Sequence, residues 1–96
     1  MKRGAGRSDE DTLARWLNDR VQELELTDPT VCRLSLTRWS KVKRSIKGIP
    51  GDVVYQVDEA VGMAFDSLMR VPPDFIVAQA MLSGCLHMLK RKPYDE

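Results

Sequence analysis

Apolar residues return along the chain three or four positions apart, the spacing of one helical face, rather than at every second position as in a half-buried strand. Leu13, Trp16, Leu17, Val21 and Leu24 make the first such stripe. Ser8 stands before it as an N-cap able to accept a first-turn amide, and Asp9, Glu10 and Asp11 suit the positive end of the helix dipole. Thr27-Asp28-Pro29 ends that helix and offers a cap to the next element. Residues 31–35 stay ambiguous: Val31, Cys32, Leu34 and Leu36 fit either a helical extension or a short extended stretch. Beyond them Leu36, Trp39, Val42 and Ile46 share a face, and Gly48-Ile49-Pro50-Gly51 stops it.

The third stripe is the clearest: Val54, Val57, Val61, Ala64, Phe65 and Leu68, with Asp52 as its expected cap. Pro72-Pro73 separates it from a last helix carrying Ile76, Val77, Ala80, Met81, Cys85, Met88 and Leu89. That helix runs into Lys90-Arg91-Lys92, whose charge complements a helix C-terminus, and Pro93 stops it. The spacing predicts helices over 9–25, 36–47, 53–70 and 74–91 with no strand pair, hence an all-α fold, a small bundle of about four helices. Residues 8–92 form a single helical domain in this reading, between a mobile arm at 1–7 and a tail at 93–96. Gly62 and Gly84 fall inside predicted helices, each at a cost of about 1 kcal/mol against alanine. Close helix–helix approach is the expected compensation.

Length narrows the function. A chain of 96 residues makes one domain. It buries only about 60–65% of its unfolded surface, which argues against a deep catalytic cavity. Net charge is +1, so a uniformly basic nucleic-acid binder is excluded, although a basic patch is not. Cys32 and Cys85 are the two cysteines, too few for a disulfide scaffold, and they favour a reducing compartment. The positive N-terminus has no apolar stretch behind it, and no run reaches the roughly eighteen apolar residues of a membrane span. A soluble, cytoplasmic protein is expected.

Charge is segregated along the chain. Residues 8–30 hold seven acids and two bases, 31–48 hold six bases and no acid, and 51–75 hold five acids and one base. The six bases are Arg33, Arg38, Lys41, Lys43, Arg44 and Lys47. On a helical projection Arg38, Lys41 and Arg44 lie opposite Trp39, Val42 and Ile46, with Lys43 and Lys47 flanking. Such a helix packs by one face and offers the other to phosphates or to an acidic protein surface. The same charges also fit plain solvation, partly paired with the acidic segments on either side.

Other chemistry is sparse. His87 and Cys85 are two apart on a helix, so they point in different directions and make a poor nucleophile and base. With Cys32 they fall short of the four paired ligands of a structural zinc. Cys85 reads as a small core hydrophobe and His87 as a rim residue. Asp58-Glu59 and Asp9-Glu10-Asp11 read as solvated or capping carboxylates, and the glycines fit no phosphate loop. Met63 falls opposite the apolar stripe of its helix and hints at exposed apolar surface. No enzyme, cofactor, metal or small-molecule substrate emerges.

One stretch carries a resemblance. Gln56-Val57-Asp58-Glu59-Ala60-Val61, then Arg70-Val71-Pro72-Pro73-Asp74-Phe75 and an apolar helix, resembles the middle of bacteriophage late-gene antitermination proteins of the Q class. Ala14-Arg15-Trp16-Leu17 is similar to their N-terminal tryptophan segment. The resemblance covers about forty residues. It implies RNA polymerase engagement and promoter-proximal DNA binding. In that family a helix-turn-helix follows the helix matching 74–91, and residues 1–96 do not contain it. The expected function is a small non-enzymatic regulator of transcription that binds RNA polymerase or DNA through the basic helix, Trp39 anchoring it to the core. The alternative is a protein–protein module without nucleic acid, a homodimer among its forms, using Met63 and Tyr55 or the acidic first helix.

Overall fold

The computed structural model describes the backbone of residues 5–90 and the side chains of 9–89. The described residues form helices joined by short loops, with no strand among them: α1 (Ala5–Glu23), a single 3-10 turn (Leu24–Leu26), α2 (Pro29–Leu36), α3 (Trp39–Ser45), α4 (Gly51–Met69) and α5 (Phe75–Lys90). The all-α bundle expected from the periodicity is therefore observed.

Residues 1–4 of the expected arm and the tail at 93–96 lie outside the described residues, but helix is already formed at Ala5. Ser8 is thus inside α1 rather than its cap. Asp9 has another task, accepting the Gly48 amide at Oδ2 over 2.7 Å. That bond ties the α3–α4 loop to α1 so closely that a Cβ at Gly48 would stand 2.6 Å from the same oxygen. Thr27 turns the chain with a left-handed φ of 52°. Asp28 then caps α2, its Oδ1 accepting the Val31 amide, with Pro29 in the first turn. The ambiguous stretch is resolved as helix, and a turn at Thr37-Arg38 separates it from α3.

Asp52 does not cap α4. Pro50 holds the cap position, and Asp52 in the first turn accepts the Val53 amide instead. Asp74 caps α5, its Oδ1 accepting the Val77 amide. The Asp74 amide donates to Ser67 O across the proline turn, in which the Val71–Pro72 bond is cis.

Helices α4 and α5 form the central hairpin, α1 packs along α5, and α2 and α3 bridge from α1 to α4. Leu13, Leu17, Val57, Ala64, Ala78 and Leu82 are wholly buried where these elements meet. The α4 stripe behaves as its sequence predicts, with Val57, Val61, Ala64 and Leu68 buried and Met63 exposed. The α5 stripe does so only in part. Cys85 and Leu89 are buried as expected and Met81 packs against the core, but Ile76 is 80% exposed and Ala80 is exposed, while Ala78, Leu82 and Leu86, outside the stripe, face inward. Eleven of the sixteen residues of α5 are apolar and they occur on every side, so its pattern cannot state which side turns inward. Gly62 and Gly84 also depart from expectation: both are exposed and a Cβ at either would meet nothing. They are not points of close helix contact.

Candidate functional site

The six basic residues are divided by the fold. Arg33, half-buried on α2, donates from Nη1 to Leu68 O over 3.3 Å, at the C-terminal end of α4 where carbonyls lack helical partners. Lys43 Nζ lies 3.1 Å from both Asp58 carboxylate oxygens on α4. Arg38, Lys41, Arg44 and Lys47 are exposed, and no ion pair or side-chain hydrogen bond engages any of them among the described residues. The ion pairs found there are Arg20–Glu23, Lys43–Asp58 and Arg70–Asp74. Of the basic segment, only Lys43 is neutralised by a neighbouring acidic one.

Helix α3 has this arrangement because its apolar side is held inside. Trp39 and Ile46 are buried and Val42 half-buried, so the remaining surface of a seven-residue helix must face water. The Trp39 ring packs against Trp16 of α1 with centroids 5.4 Å apart and planes tilted by 35°. The Arg20 guanidinium lies 5.2 Å over the Trp16 ring. Arg20 Nε stands 3.3 Å from Glu23 Oε1 but is out of line for a hydrogen bond. Glu23 also accepts the Ser35 hydroxyl over 2.9 Å.

Asp58 joins α3 to α4 by accepting both Trp39 Nε1–H and the Lys43 ammonium. Burial pushes its carboxyl up, but the Trp39 and Lys43 hydrogen bonds and the Lys43 charge outweigh this and hold it below the usual carboxylate range. A depressed value means the folded protein holds that proton less tightly than the unfolded chain. The contribution is present above the unfolded value near 3.9 and is lost as pH falls through the lower folded one. Asp58→Ala leaves the buried indole N–H without its acceptor, and a loss of about 1–2 kcal/mol is expected in urea unfolding at neutral pH. Asp58→Asn keeps an acceptor and loses only a half-exposed ion pair, so less than about 1 kcal/mol is expected. Its deficit should shrink as pH drops below about 4. A deficit independent of pH would remove the ionised pair from the account.

Elsewhere, Cys32 and Cys85 are buried free thiols on separate helices. Burial raises both above the ordinary thiol value, and Glu23 and Asp28 add to this at Cys32. His87 is exposed. Among the described residues no three His, Cys, Asp or Glu side chains gather as a metal site would need. No helix is long and apolar enough to cross a membrane.

Two surface features join residues that sequence spacing keeps apart. Trp16, Arg20, Ser35, Arg38, Lys41 and Val42 line one hollow between α1, α2 and α3. An apolar groove between α4 and α5 is bordered by Tyr55, Met63, Met81 and Met88, with Ala60 and Gly84 between them. Met63 and Tyr55 are both exposed there, and the Tyr55 hydroxyl donates to Glu59. Neither Trp16 nor Arg20 stood among the binding residues suggested by charge, because the signal used was the run of bases from Arg33 to Lys47. Set against known families, curated proteins and solved structures, the chain matches none.

Proposed function

We propose that this chain is a non-enzymatic binding protein that grips the phosphate backbone of nucleic acid with the outward cations of α3 and of the turns flanking it, in the service of transcription. The observation that carries this reading is the unpaired, exposed set Arg38, Lys41, Arg44 and Lys47 beside two acidic segments that leave it alone. Charge left unneutralised is available to an external polyanion. Contacts of this kind position a backbone and read no bases. The process, transcription through RNA polymerase or promoter-proximal DNA, comes from the resemblance carried by Gln56–Val61 and Arg70–Phe75.

A second reading has its own observation. The groove bordered by Tyr55, Met63, Met81 and Met88 is an exposed apolar surface of the kind used in protein association. Salt separates the two. Retention on duplex DNA and on heparin is expected at low salt and should disappear between moderate and high salt, since cations on phosphates release counterions. Absence of retention at low salt would overturn the phosphate reading. A stable dimer mass by light scattering, insensitive to salt, would then favour the groove.

A further inference from the structure

The ridge formed by Arg38 and Lys41 separates two hollows. Leu34, Thr37 and Ser40 complete one, and Trp16, Arg20, Ser35 and Val42 complete the other. The second hollow places a half-buried indole and a guanidinium plane next to two unpaired cations. No carboxylate lines it; Glu23 lies behind, hydrogen-bonded to Ser35 and paired with Arg20. Arg20 is thereby neutralised and lies over the Trp16 ring with its side chain 16% exposed, while Arg38 and Lys41 keep their charge. A flat π surface beside free cations suits a ligand in which planar bases alternate with phosphates. In a duplex the base faces are stacked on one another and out of reach. In a single strand each base can turn onto a protein ring.

We propose that this hollow receives a base of single-stranded nucleic acid against Trp16 and Arg20, with the neighbouring phosphates on Arg38 and Lys41. The proposal rests on the reading of α3 as a phosphate-binding face and narrows its ligand to single strands. The strand crosses the Arg38–Lys41 ridge, so that a second base can reach the Leu34 side, where Leu34 is 64% exposed.

The test uses the full chain with a labelled oligodeoxythymidylate, a duplex of equal length, and heparin, which carries dense negative charge without bases. The single strand should bind more tightly than the duplex and should quench tryptophan fluorescence. Trp16→Phe, whose remaining Trp39 is buried, should lose the quenching yet keep most of the affinity. Trp16→Leu should weaken the oligonucleotide about tenfold, the scale of one lost stacking contact, and leave heparin affinity unchanged. Equal losses of Trp16→Leu on both ligands would assign Trp16 a merely structural role and overturn the proposal. Duplex bound as tightly as single strand, without quenching, would overturn it while leaving the phosphate face standing. Failure of the wild-type chain to bind any of the three would overturn both.

Discussion

Replacing Arg38, Lys41 and Arg44 together by alanine is expected to abolish nucleic-acid binding at moderate salt while leaving the far-ultraviolet dichroism unchanged. With Lys47 they make four outward cations. If each neutralises one phosphate, affinity falls with a log–log salt slope of about −3.6, or about a hundredfold between 50 and 200 mM salt. The triple variant keeps one such contact, and its slope drops to about −0.9, only three- to fourfold over the same range. Folding should survive because none of the three side chains holds an internal partner, and alanine is the best helix former. Lys43→Ala is the informative companion. It removes the same formal charge but from a side chain occupied by Asp58, so it should lower stability and leave the slope nearly unchanged. A triple variant that binds like wild type, or a Lys43→Ala slope reduced as much as those of its neighbours, would refute the basic face.

The contrast between Lys43 and its neighbours also marks what a linear sequence can disclose. That 31–48 is a basic segment is a fact of composition, and helical spacing suffices to set Lys41 and Arg44 away from Trp39 and Ile46. Which bases remain free depends on partners far along the chain. Arg33 meets a carbonyl 35 residues away and Lys43 a carboxylate 15 residues away, and no local signal announces either. Trp16 reaches the basic ridge for the same reason, through the packing of its ring on Trp39. Helix α4 was legible because polar residues interrupt its apolar stripe on one side only. Helix α2 was not: its eight residues carry too few turns for a period to stand out, and the break after it, Thr37-Arg38, has neither glycine nor proline. The Ser8 cap was misplaced because helix already runs from Ala5, and Asp9, expected only to complement the helix dipole, serves the distant amide of Gly48.

Helix α5 turns that lesson into an experiment. Its apolar spacing puts Ile76 in the buried stripe and omits Leu82, whereas the fold leaves Ile76 80% exposed and Leu82 fully buried. Leu82→Ala should therefore cost about 2–5 kcal/mol, since the α1, α4 and α5 helices around it cannot collapse fully into the space vacated. A domain of this size is stable by about 5–14 kcal/mol in total, so the loss is a large fraction of it. At about 4–8 °C for each kcal/mol, the thermal midpoint should fall by roughly 8–40 °C. Ile76→Ala removes a similar volume from a side chain already in water and should stay within about 0.5 kcal/mol of wild type. Thermal and urea unfolding of the pair decide the rotation of α5 about its axis. Similar losses at both positions, or a larger one at Ile76, would mean that the helix presents the face its spacing suggests. The packing of α5 on α1 and α4 would then need to be redrawn, along with the groove that α4 and α5 enclose.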